Sequence, residues 1–190
     1  MNPTAFEHVN RKGQRYFLCQ TKSNTNAPRY VFSRKPTGAP VAAVPDGYEV
    51  AESVNGLVSL RKTGSCQIRA DECALVEAVL AMHHGRRCRV DAKKREIVVH
   101  ESPDPLFDLD SLVGFFGSGH DLSMRVAASA QLSPVMRFRL IENMARTFTV
   151  DRMCFRGSLD GWLPLDTGSL ANLAETYIRH IGKDSFFELI

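Results

Sequence analysis

The chain has 190 residues, 44% of them hydrophobic and 24% charged, with a net charge of +3; this supports one sizeable core or two small ones and excludes long-range disorder as the default reading. No segment reaches the roughly 18 continuous apolar residues of a membrane span, and the opening "MNPTAFEHVNRKG" lacks the apolar region of a secretory signal. Five cysteines at irregular positions (Cys19, Cys66, Cys73, Cys88, Cys154) form no disulfide framework, which predicts a reducing, cytoplasmic compartment.

The charge is unevenly spread. Residues 1–64 hold nine Lys/Arg against four Asp/Glu, and residues 65–190 hold fifteen against seventeen. The cationic first third predicts a surface that faces an acidic partner.

The first segment reads as antiparallel β. "QRYFLCQTK" and "PRYVFSRK" alternate and are rich in aromatic residues, and the turn formers of "SNTNAP" separate them. The three prolines of "KPTGAPVAAVPDG" cannot continue a ladder. "YEVAESVNGLVSLRK" predicts a hairpin, with Asn55-Gly56 suited to a type I′ turn.

"ADECALVEAVLAMHHG" is the clearest internal helix, over 71–84. Asp71 is placed to cap it, and Gly85 suits the left-handed position after its end. Leu75, Val76, Val79, Leu80 and Met82 gather on one side, with His83 near them and His84 projecting away. "RCRVDAKKREIVVH" then switches to period two and predicts a second hairpin over 87–100, turning at Lys93-Lys94. Cys88 and Val90 pair with Ile97 and Val99 over a core, and Arg87, Arg89 and Asp91 point outward.

"ESPDPLFDLD" reads as a linker between a β-rich half over 1–101 and an α+β half over 105–190, or as a loop inside one continuous domain. "PVMRFRLIENMARTFTVDRMCFRG" returns to β, with Met136, Phe138 and Leu140 alternating against Arg137 and Arg139 and a turn near Glu142-Asn143. "SLANLAETYIRHIG" carries a helical apolar stripe over 169–181, stopped by Gly182. "SFFEL" opens with a capping box from Ser185 to Glu188, which predicts a last helical turn docking Phe186 and Phe187. The order predicts an α+β fold of mainly antiparallel, β-rich halves, each packed by a helix.

The stretches "NRKGQRYFL", "RYVFSRKPTGAPVAAVPDGYEVAESVNGLVSLRK", "FRGSLDGWLPL" and "LAETYIRHIGKDSFFELI" resemble a widespread family of uncharacterised bacterial proteins. The resemblance implies a bacterial, cytoplasmic origin. It carries over no activity and no functional residues.

Five chemistries compete for the chain. Six of the ten residues from Arg86 to Arg95 are basic (Arg86, Arg87, Arg89, Lys93, Lys94, Arg95). With Arg15 and Arg29 of the aromatic-rich first sheet they are the candidates for contacting nucleic-acid phosphates, and the plain alternative is a solvated face. His83, His84, Cys88 and Cys73 have the residue types of a metal site but not the paired spacing, so no metal and no cofactor is expected. Ser118, His120 and Asp121 in "GSGHD" lack a nucleophile elbow, and Asp104, Asp108 and Asp110 lack a companion nuclease pattern. Trp162, Phe186 and Phe187 are the candidates for contacting a protein partner. The expected role is a non-catalytic binding or accessory protein, with a nucleic acid or another protein as partner. The alternative is an enzyme of hydrolase or nuclease type with its site around residues 104–121.

Overall fold

The computed structural model describes residues 4–22, 28–35, 37–84, 88–102, 131–154 and 160–190. The chain forms two compact units, Met1–Ser65 and Cys66–Ile190. The class is α+β: the described residues form antiparallel sheets and two helices. No described helix is long and apolar enough to cross a membrane.

In the first unit, β2 (Arg15–Lys22) is the central strand. β3 (Pro28–Ser33) pairs with it along one edge. β1 (Glu7–Val9) and the two-residue β4 (Ala39–Pro40) share its other edge. Tyr16, Leu18 and Cys19 are buried on this strand. β5 (Tyr48–Glu52) and β6 (Val58–Lys62) make the hairpin that the sequence predicts. Its turn differs: Gly56 takes φ +80° while Asn55 does not enter the left-handed region, so a type I′ turn is ruled out. Gly56 N donates to Ser53 O at 2.9 Å, and Leu57 N donates to Ser53 Oγ at 3.0 Å. The serine ahead of the Asn-Gly pair therefore nucleates a longer turn with the glycine as its left-handed residue.

The described residues of the second unit form a five-stranded antiparallel sheet with two helices packed into its core. Its order is β11 (Gly161–Ser169), β10 (Thr147–Cys154), β9 (Ser133–Glu142), β8 (Glu96–Glu101), β7 (Cys88–Lys93). β8 pairs directly with β9, so the strands on either side of the predicted linker belong to one sheet. The expected boundary at 101–105 therefore gives way to one at Ser65/Cys66.

One face of this sheet is apolar. Ile97 and Val99 of β8, Met136, Phe138 and Leu140 of β9, and Phe148 and Val150 of β10 are buried there. Helices α1 (Ala70–His84) and α2 (Leu170–Tyr177) add Val76, Val79, Leu80, Leu170, Leu173 and Ala174 to the same core. α1 begins at Ala70, so Asp71 lies in its first turn rather than capping it. The Arg69 N–H is satisfied instead by Glu72 Oε2 at 2.8 Å. The buried stripe ends at Leu80. Met82 stands about 200° around the helix from Leu80, is 71% exposed, and does not join the core. His83 is exposed as well.

Ser169 caps α2, accepting from Asn172 N. A 3-10 turn, Ile178–His180, continues it to the left-handed Gly182 at φ +70°. A second 3-10 turn, Asp184–Phe186, replaces the expected capping box. Ser185 lies inside that turn, and its Oγ meets His180 Nδ1 at 2.9 Å.

Candidate functional site

The hairpin of β7 and β8 carries the basic run. Val90 faces Val99, as the alternation predicts, while Cys88 faces Glu101 and Ile97 faces Ala92. Burial of Ile97 and Val99 sets this register. It closes the ladder at Lys93 opposite Glu96 and moves the turn one residue on, to Lys94-Arg95. Lys94 takes φ +50°, a conformation that suits Gly or Asn better than lysine. The turn is held from both sides: Gln67 N donates to Lys94 O at 2.6 Å, and Leu140 N donates to Arg95 O at 2.8 Å.

The cations of the run divide by environment. Lys93, Lys94 and Arg95 are exposed, and Arg89 is half-buried. Lys93 Nζ lies 2.7 Å from Asp91 Oδ2, and Arg95 donates from Nη2 to Ile141 O at 2.9 Å. Arg86 and Arg87 lie outside the described residues.

The turn between β9 and β10 stands at the same end of the sheet, because Glu96 of β8 pairs with Arg139 of β9. Arg146 closes that turn at φ +52°. Its guanidinium donates to both oxygens of Glu72, to Asn143 Oδ1 at 2.6 Å and to Gln67 O at 3.2 Å. Its Cζ also lies 5.7 Å from the Phe148 ring centroid. Among the described residues, the two non-glycine residues with positive φ are both basic, and both sit at this end. The end presents Lys93, Lys94, Arg95 and Arg139 as exposed cations, Glu142 as an exposed acid, and Ile141 and Met144 as exposed apolar side chains.

In the first unit the two candidate arginines face away from most of the aromatic residues. Strand alternation and the pairing of Leu18 with Phe32, Gln20 with Tyr30 and Thr21 with Arg29 put Tyr16, Tyr30 and Phe32 on one face and Arg15 and Arg29 on the other. Phe17 shares the face of Arg15 and Arg29, whereas Arg34 stands over Tyr16 on the other face, its Cζ 5.9 Å from the ring centroid. Arg15 and Arg29 are exposed, with Arg15 Nε 3.4 Å from Glu7.

Sequence reasoning missed the polar knot beside this sheet. Asn10 is buried and donates from Nδ2 to Gly56 O at 2.6 Å, while its Oδ1 accepts from Lys12 N and Gln14 N. Arg11 binds Glu52 through its backbone N–H and its Nε, the latter at 2.7 Å. Burial by itself would raise the Glu52 pKa. The hydrogen bonds and charge of Arg11, with a contribution from His8, outweigh burial and hold it below the usual carboxylate value.

The three partner-binding candidates are placed differently. Trp162 lies under Arg137, whose Cζ is 4.6 Å from the ring centroid. Arg137 also donates to Asp151 Oδ2 at 2.6 Å and lies 3.4 Å from Glu96. Phe186 is 4% exposed and belongs to the core, whereas Phe187 is 67% exposed. Arg152, itself buried, donates to the carbonyls of Leu189 at 2.7 Å and Phe187 at 3.3 Å and so ties the last residues to the sheet. Alternating charges such as Arg137 and Asp151 resemble a solvated face in sequence, and only the cross-strand register brings them together.

The metal and hydrolytic candidates fall differently with respect to the described residues. No group of three His, Cys, Asp or Glu there could hold a metal ion. Burial first, then Cys66 and the acidic Glu77, Glu72 and Asp71, push the Cys73 thiol up, which disfavours the thiolate a metal needs. Burial lowers the His100 pKa against the opposing pull of Val98 O and Asp91. Ser118, His120, Asp121, Asp104, Asp108 and Asp110, with the whole 104–121 stretch proposed for an enzyme site, lie outside the described residues. No family model, curated protein or solved structure matches this chain.

Proposed function

We propose that this chain is a non-catalytic binding module of the bacterial cytoplasm that docks a nucleic acid on one end of its five-stranded sheet. The reading rests on the exposed cations Lys93, Lys94, Arg95 and Arg139 gathered at two neighbouring turns. Glu142 is an exposed acid among them, and Asp91 pairs with Lys93. Such a surface neutralises phosphates without reading sequence and releases condensed counterions. Lys94 supports the reading further: its φ of +50° is strained for a lysine, and backbone strain of this kind clusters at functional sites.

The test is fluorescence anisotropy of labelled duplex and single-stranded oligonucleotides against the full chain over a salt series. Four phosphate contacts give a duplex slope of log affinity against log salt of about −3 to −4. The variant Lys94→Asn/Arg95→Ser/Arg139→Ser keeps a residue tolerant of the left-handed turn at 94. It should lose at least about tenfold in affinity and flatten the slope by roughly the number of contacts removed. No binding at low salt, or identical binding by the variant, rejects the proposal.

A further inference from the structure

We infer that the nucleic acid is duplex DNA, entered from the minor groove, with Met144 inserted as an apolar wedge between base pairs; this rests on the nucleic-acid reading above. Met144 is 91% exposed at the crown of the β9–β10 turn, and Ile141 beside it is 44% exposed. This apolar tip stands on a rigid base. Arg146, at φ +52°, locks the turn through Glu72, Asn143 and Gln67 O. A side chain held this way loses little freedom when it is buried in a partner.

Cations around a small apolar tip match one mode of DNA contact. Minor-groove proteins pair Lys and Arg with Met, Ile, Leu, Phe or Pro wedges that unstack a base step and bend the duplex. Single-strand binders use exposed aromatic rings for stacking. The exposed hydrophobics described at this end are Ile141 and Met144, with no ring among them. The tip stands forward of the cations: two strand spacings of about 4.8 Å separate the turns across the sheet, and the β9–β10 turn extends about three residues, roughly 10 Å, further along it. The minor groove is about 6 Å wide. With Met144 in the groove, Lys94 and Arg95, set back from the tip, face the phosphate backbone on one flank.

The experiment uses the full chain and a duplex of about 30 base pairs with a donor and an acceptor dye at its ends, and a second duplex carrying a fluorescent adenine analogue at an A·T step. Expected results are a rise in energy transfer and a rise in analogue emission on binding. Met144→Ala, at a site 91% exposed in the free protein, should abolish both signals and weaken duplex binding several-fold while leaving the unfolding midpoint unchanged. A bound duplex that stays straight and stacked, or signals that survive Met144→Ala, overturns the wedge and leaves nucleic-acid docking standing. Preference for a single strand or an RNA duplex also overturns it. Failure to bind any oligonucleotide overturns both proposals.

Discussion

Arg137 and Asp151 stand opposite each other on β9 and β10, and Arg137 Nε donates to Asp151 Oδ2 at 2.6 Å. Asp151 is 1% exposed, and its Oδ1 has no hydrogen-bond partner, so the arginine is the group that compensates this carboxylate. Removing one member of a buried pair costs about 3–5 kcal/mol because the other is stranded, whereas replacing both with apolar residues is often close to neutral. Arg137→Met should therefore destabilise by about that much in urea unfolding. Arg137→Met/Asp151→Leu should recover most of the loss. A single substitution that costs under about 1 kcal/mol would mean the pair is already hydrated.

The Asn10–Gly56 contact makes a second prediction, confined to the first unit. Asn10→Ala leaves Gly56 O and the N–H groups of Lys12 and Gln14 without their side-chain partner, at a cost of about 1–3 kcal/mol. Gly56→Ala forces an L side chain to φ +80°, and its Cβ would stand 2.9 Å from Asn10 Nδ2. Both substitutions break the same contact, so the double variant should lose less than the sum of the singles. Amide exchange over residues 8–18 and 48–62 reads the effect; strict additivity would show that the two sites are uncoupled.

These two examples show where the sequence is legible. The period-two pattern of Met136, Phe138 and Leu140 and the helical stripe of Val76, Val79 and Leu80 carry their own partners in local spacing, and both lie in the core as read. The Asn10 amide and the Gly56 carbonyl are 46 residues apart. Nothing local marks Asn10 as buried rather than as an ordinary turn former. The same reason hides the basic end of the sheet. Lys94 is visible as part of a charged run, but Arg139, Ile141 and Met144 join it only through the pairing of Glu96 with Arg139. Turn and cap chemistry misled at Asp71, at Asn55-Gly56 and at Ser185–Glu188. At the last two a nearby hydroxyl, Ser53 Oγ or Ser185 Oγ, makes a bond other than the one the motif implies.

Glu52 predicts a pH dependence. Its folded pKa lies below the ordinary value of 4.5 because Arg11 overcomes the effect of burial. A depressed carboxylate contributes stability that is fully present above the unfolded value and is lost as pH falls through the folded one. Unfolding free energy of the wild type should therefore fall on acidification below about 4.5. Glu52→Gln should be less stable at neutral pH and show a shallower decline over that acid range. Parallel curves for the two proteins would exclude the Arg11 pair as the source.

Phe186 and Phe187 give the last prediction. The rings touch edge to face, with centroids 5.7 Å apart, yet one is in the core and the other in solvent. Phe186 packs with the core cluster of the second unit and lies under Arg152, whose Cζ is 6.0 Å from its centroid. Phe186→Ala removes a buried ring and should cost about 3–5 kcal/mol. Phe187→Ala should stay within about 0.5 kcal/mol, as exposed substitutions do. Arg152→Met keeps the bulk beneath Phe186 but releases the carbonyls of Phe187 and Leu189, so it should raise amide exchange at residues 186–190 before it lowers the global unfolding midpoint. Equal losses from both phenylalanine substitutions would place Phe187 in a buried contact and contradict the packing seen here.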